Sequence, residues 1–176
     1  MSRRANCPWH NVIFYIEGYE LVDKEKPSVV LYANHIHRDA IRHDVDLLVT
    51  LDFEARFLRR KRMVTDCGKK FVVDLAETVS LNSGDAFVLE DGCQVIINAA
   101  AEPIVEIRHA ALARIAWHIG NRHTPCEIKD NCLVIRRDHV LEDLLIRLGA
   151  ALKNAEAPFN PEGGAYGLGR THSHEH

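Results

Sequence analysis

The chain has 176 residues, 22 Lys plus Arg against 25 Asp plus Glu for a formal charge of −3, and 47% apolar residues. That balance fits one or two small folded domains with material for a core, and it argues against the broad basic surface that nucleic-acid binding requires. No apolar stretch approaches the roughly 20 residues of a membrane-spanning helix, so neither nucleic acid nor membrane is expected as a partner. What departs from the ordinary is histidine. The chain holds 11, and His172, His174 and His176 fall within its last five residues. Cys7, Cys67, Cys93, Cys126 and Cys132 contain no Cys-x-x-Cys pair, which suits neither a disulfide framework nor a thiolate zinc site. With no secretory signal recognised, a reducing, cytoplasmic location is expected.

In chain order, residues 1–27 form an unrecognised N-terminal extension around one short strand at 12–16. Residues 28–102 carry strand signals only. Val49, Leu51, Phe53 and Ala55 alternate with Thr50, Asp52, Glu54 and Arg56, the period-2 pattern of a strand with one buried face. A strand at 71–75 follows, then a turn at 82–85, then a hairpin of 86–89 and 93–97 across Asp91-Gly92, a dipeptide suited to a type I′ turn. Short strands spaced by tight turns predict a small β-sandwich or barrel.

Residues 103–158 have a different texture. A strand at 104–108 leads into a helix marked by Leu112, Ile115, Ala116 and Ile119, with Gly120-Asn121 as its stop. Strands at 126–129 and 133–136 meet across Asp130-Asn131. A second helix opens on Asp138 as N-cap, with Glu142 and Asp143 near its positive end and Val140, Leu141, Leu144, Leu145 and Leu148 as its apolar face. A strand at 151–157 completes a βαββαβ order, the pattern of a ferredoxin-like domain. The fold class is thus α+β, an all-β first domain followed by a ferredoxin-like one. Residues 159–176, rich in Gly and Pro, are expected to form a flexible tail that bears histidines.

The terminal alternation His172-Ser173-His174-Glu175-His176 is the strongest chemical feature. Neutral imidazoles on a flexible segment converge readily on Ni, Zn, Cu or Fe, a reading preferred here to a cloning tag or an inert terminus. His118, on the last turn of the first helix, reads first as a partner of the helix dipole. His123 follows the helix stop, and the residues alone favour a surface histidine. A symmetric dimer would nevertheless bring two copies of any residue near its two-fold axis together. His139, at the first turn of the second helix, is kept neutral by the dipole and reads equally as a ligand or as part of the cap. His35, His37 and His43 are interspersed with Arg38 and Arg42 and read as surface residues. Arg56, Arg59, Arg60, Lys61 and Arg62 form a basic run, read as a solvated face or as protection of a strand edge. The chain has no His-Glu-x-x-His, Gly-x-Ser-x-Gly, P-loop or Gly-x-Gly-x-x-Gly motif.

Residues 116–125 (Ala-Trp-His-Ile-Gly-Asn-Arg-His-Thr-Pro), 138–143 (Asp-His-Val-Leu-Glu-Asp) and 157–167 (Ala-Pro-Phe-Asn-Pro-Glu-Gly-Gly-Ala-Tyr-Gly), followed by the His-rich end, resemble the UreE family of urease accessory proteins. Residues 51–56 with the basic run, and 89–92, resemble that family's first domain. The resemblance spans about residues 46 to 176. It implies a cytoplasmic, homodimeric nickel metallochaperone, not an enzyme, that donates Ni(II) to apo-urease together with a GTPase. It also implies that His123 shares one nickel with its copy at the dimer interface and that His172, His174 and His176 complete or feed that site. Some members carry a second His-x-His site ending at the position of His139; here its first ligand is replaced by Arg137. A general copper, zinc or nickel buffer and a metal-dependent hydrolase are the alternatives.

Overall fold

The computed structural model describes residues 30–40 and 47–163. The strand expected at 12–16, His43 and the tail histidines lie outside the described residues. The first part of the chain builds a six-stranded sheet from β1 (Leu31–His37), β2 (Leu47–Leu51), β3 (Phe57–Val64), β4 (Lys70–Ser80), β5 (Ala86–Leu89) and β6 (Gln94–Ala99), in the order β2-β6-β5-β1-β4-β3. β1 pairs parallel with β4 and antiparallel with β5. Along β4, Phe71, Val73 and Leu75 are buried and alternate with more exposed neighbours, which gives the sheet one inward face.

Two local readings change. β2 ends at Leu51 instead of continuing to Ala55, because the Asp52 carboxylate accepts the Ala55 amide (2.7 Å) and the Asp52 carbonyl accepts that of Arg56 (3.2 Å). This side-chain competition closes a turn where the alternation alone predicts a strand. In the β5–β6 hairpin the Gly92 amide bonds the Leu89 carbonyl (2.9 Å), the Leu89 amide bonds the Cys93 carbonyl (2.9 Å), and Gly92 is the only residue of the turn with positive φ (82°). A type I′ turn needs two such residues, so this is a type I turn closed by a glycine bulge.

The second part is β7 (Ala101–Arg108), α1 (Leu112–Gly120), β8 (Glu127–Lys129), β9 (Cys132–Arg136), α2 (His139–Arg147) and β10 (Ala151–Pro158). Its four-stranded sheet has the order β10-β7-β9-β8 with antiparallel neighbours throughout, the arrangement of a ferredoxin-like domain. Ile115, Ile119, Leu141 and Leu145 from the two helices pack on Val105, Ile107, Leu133 and Ile135. The other face of the same strands, Ile104, Cys132 and Val134, packs against Phe53 and Phe159. Burial on both faces explains why 132–135 is an unbroken apolar run.

Compactness divides the chain into two units. Among the described residues, 30–40, 47–49, 59–77 and 84–96 form one; 50–58, 78–83 and 97–163 form the other. Within the second, the expectation of a free tail from residue 159 is corrected. Phe159 is fully buried and meets the Phe53 ring edge-on at 5.2 Å, burial worth roughly 2–3 kcal/mol. Arg56 leaves the basic run for the same reason. Only 2% exposed, its guanidinium donates to the Phe159 carbonyl, to Asn160 Oδ1 (3.0 Å) and to the Asp52 carbonyl (3.3 Å). Arg59, Arg60, Lys61 and Arg62 remain exposed on β3, at one edge of the six-stranded sheet.

α2 begins as expected. Asp138 Oδ1 accepts the amides of Val140 (2.9 Å) and Leu141 (3.0 Å), while Glu142 Oε1 reaches back to the Asp138 amide (3.1 Å). Asp138→Ala should lower the unfolding free energy by about 1 kcal/mol. Urea unfolding measures this, and an unchanged midpoint would show that the cap does not contribute.

Candidate metal centre

α1 buries Ile115 and Ile119 and ends in a turn whose geometry centres on His123. The His123 amide donates to the Gly120 carbonyl (2.9 Å) and the Thr124 amide reaches the Ile119 carbonyl (3.4 Å). These are the 5→2 and 6→1 bonds of a Schellman stop, and the left-handed residue they require is His123, at φ 55°. The stop therefore lies three residues beyond Gly120, and a β-carbon occupies the place where glycine is usual. Only Asp39 shares positive φ among the described non-glycine residues. The turn is exposed, and Pro125 two residues later prevents the helix from resuming.

His118 is half-buried on the last turn of α1, and its ring lies edge-on to Trp117 at 5.0 Å. His139 is exposed at the first position of α2. Its neighbour Asp138 is committed to the two cap amides, and Arg137 Nε donates to Glu142 Oε1 (2.8 Å). A guanidinium and the positive end of a helix thus flank His139, an electrostatic setting unfavourable to a bound cation. His35 and His37 are exposed on β1, which is irregular between Ala33 and His35. His35 Nδ1 meets Asn34 Oδ1, and His37 Nδ1 lies 3.4 Å from Gln94 Nε2. His109, to which the sequence assigned no role, accepts the Ala111 amide on Nδ1 (2.9 Å) and supports the entry to α1, whose N-cap Ala111 offers no side-chain acceptor.

Among the described residues, no three His, Cys, Asp or Glu side chains are grouped to hold a metal ion. Cys67, Cys126 and Cys132 are free thiols, whereas Cys93 is disulfide-bonded, contrary to the expectation of reduced cysteines throughout. Cys126 lies closest in sequence to His123. Burial pushes its thiol up to about 11, and the nearby Glu162 and Glu127 carboxylates act in the same direction. It stays protonated at neutral pH and is not a ready thiolate ligand. Alkylation of the folded protein at pH 8 should therefore modify exposed Cys67 well before Cys126; equal rates at the two sites would contradict this burial.

The backbone at His123 supports a second expectation. His123→Gly should raise stability by up to about 1 kcal/mol by removing the left-handed β-carbon penalty, and His123→Ala should not. Parallel thermal melts distinguish the two variants, and a destabilised glycine variant would mean that the ring contributes to folding.

A family model described as the C-terminal domain of the UreE urease accessory protein matches residues 102–176, and one for its N-terminal domain matches residues 32–100. The urease accessory protein UreE of Ruegeria pomeroyi is 54% identical over 141 residues, 80% of this chain and 95% of that protein. Its counterpart in Paracoccus denitrificans is 59% identical over 126 residues, 72% and 80% of the two chains, and that of Rhodobacter capsulatus 52% over 128 residues, 73% and 81%. Two matched domains and identities of this size over most of both chains place the protein in the UreE family of urease accessory proteins, which are chaperones and not enzymes.

Proposed function

We propose that the chain is a homodimeric carrier of Ni(II) that works in the cytoplasm and passes the ion to apo-urease with the help of an accessory GTPase. The observation that supports this best is His123. An exposed imidazole occupies a left-handed turn position at which glycine would be more stable, and residues kept against such a preference are concentrated at functional sites. One imidazole binds nickel weakly. A two-fold axis near this turn doubles the ligand count, and His172, His174 and His176 supply more. His139, flanked by Arg137 and the positive end of α2, is at most an auxiliary ligand. In this reading residues 103–158 are the metal-binding domain, 28–102 the β-rich domain and 1–27 an extension, and the tail begins beyond residue 162.

The alternative is a general copper, zinc or nickel buffer, since Cu(II) outcompetes Ni(II) at nitrogen ligands. Membership of a urease accessory family favours nickel cargo, supplied when urease is assembled. Calorimetric titration with Ni(II) should give about one tight site per dimer, lost in His123→Ala and weakened when residues 171–176 are removed. Unchanged tight binding in His123→Ala would sink the shared site. Failure of the folded protein to restore urease activation in nickel-limited cells lacking their own carrier would favour the buffer.

A further inference from the structure

β1 changes its facing halfway along. Residues 31–33 pair with 71–73 of β4, and Ala33, opposite Leu89 of β5, is buried. The next residue of β1 to pair with β5 is His35, opposite Val88, so two residues of β1 are taken up against one of β5 and Asn34 is the extra residue of a β-bulge. Plain alternation would turn His35 and His37 to the same inward side as Ala33. The bulge reverses this. Ile36, opposite the buried Phe87, faces inward, and His35 and His37 stand exposed on the opposite side. They lie two residues apart, about 6.7 Å along the strand, a gap that two imidazoles leaning together close around an ion held about 2 Å from each ring nitrogen.

The surroundings suit a pair of ligands. His35 Nδ1 meets Asn34 Oδ1, an acceptor that makes this nitrogen the donor and leaves Nε2 with the lone pair a metal needs. Gln94 shares the face, since it pairs with Val88, and its Nε2 lies 3.4 Å from His37 Nδ1. Half a turn of this carboxamide presents its oxygen to the same nitrogen, and Gln94 then serves His37 as Asn34 serves His35. The end of the strand is fixed as well. Arg38 Nη1 donates to Asp85 Oδ2 (2.6 Å), the Asp39 amide to Asp85 Oδ1 (3.2 Å) and the Ala40 amide to the Gly84 carbonyl (2.9 Å). The Arg38 guanidinium, which would otherwise oppose a cation at His37, is thereby matched by a buried carboxylate.

We propose that His35 and His37 form a second metal site, one per chain, which takes a divalent late first-row ion such as Ni(II), Cu(II) or Zn(II) through the two Nε2 atoms, with water in the remaining positions. Imidazole selects these ions over Mg(II), which takes oxygen ligands. Two protein ligands make the site weaker than a centre with a full protein shell. Neither His123 nor the chain beyond residue 163 takes part.

Carbethoxylation by diethyl pyrocarbonate, followed residue by residue by peptide mass spectrometry, tests the site in the full chain. Ni(II) should slow the reaction of His35 and His37 with one common midpoint, reaching about tenfold at ten times that midpoint, because only the empty site reacts. Mg(II) should protect neither. In His35→Gln the protection of His37 should be lost, and in His37→Gln that of His35, because one ring alone does not hold the ion at these concentrations. Both substitutions fall at exposed positions and should leave the thermal melt unchanged. Protection should persist in His123→Ala, so the fate of this site and that of the proposed shared centre are read separately. A ring that stays protected without the other would overturn the proposal, leaving two independent surface histidines. So would unprotected rings in the unsubstituted chain, equal protection by Mg(II), or loss of protection in His123→Ala, which would assign the effect to that turn.

Discussion

A four-stranded sheet with both helices on one side leaves its other side to be covered, and much of the second unit follows from how that is done. Ile104, Cys132 and Val134 present an apolar face that α1 and α2 do not touch. Phe53, from the turn after β2, and Phe159, from beyond β10, close it from opposite ends of the sequence. Phe53 is fixed further where its amide donates to Glu102 Oε1 at 2.9 Å. Arg136 adds its guanidinium over the Phe53 ring at 5.1 Å while pairing with Glu54 at 2.6 Å. Arg56 is the costly member of this arrangement. A buried guanidinium is tolerated only when its protons are taken up, and here three oxygens accept them while the Phe53 ring faces the carbon at 5.7 Å. The same bonds that satisfy Arg56 tie down the chain after β10.

The element order was legible because hydrophobic periodicity reports it directly. The helical spacing at Ile115 and Ile119 and at Leu141 and Leu145 marks residues that are buried, and the βαββαβ order appears in the structure as read. Local chemistry decided the exceptions. Phe53 continues the alternation of β2, yet Asp52 turns the chain, so the pattern reported the burial of Phe53 correctly but the conformation, and with it the burial of Arg56, wrongly. Gly120-Asn121 looks like a helix stop, but the left-handed residue is His123, and a histidine at that position gives no propensity signal. Phe159 stands alone in a Gly- and Pro-rich stretch. Its burial depends on a vacant sheet face assembled from residues 25 or more positions away, which no window along the chain can reveal.

The basic run shows the same limit from the opposite direction. Five cations close in sequence read as one feature, but Arg56 is internal and the other four lie on the edge strand β3, where Arg60 pairs with Asp74 at 2.8 Å. That hydrogen-bonded partner holds the Asp74 carboxyl below its usual range. At exposed positions such a pair contributes little stability. The cations instead make it unfavourable for a second strand to add to the edge.

The proposed carrier must hold nickel and also release it, and the backbone suggests how both are met. A cage of rigid ligands would bind tightly and exchange slowly, whereas tethered ligands alone would have to order a long segment for every ion held. His123 is fixed by a Schellman turn that tolerates a strained residue, so its share of the ordering is already complete when the protein folds. Residues 159–162 are likewise ordered in the folded domain, with Phe159 seated in the core and the Glu162 amide bonded to the Cys126 carbonyl. In that proposal any ligand from beyond residue 163 would be ordered only when the ion binds. Such a division would place binding strength in the folded turn, where the left-handed residue at 123 sets it, and leave exchange to the ligands that join it.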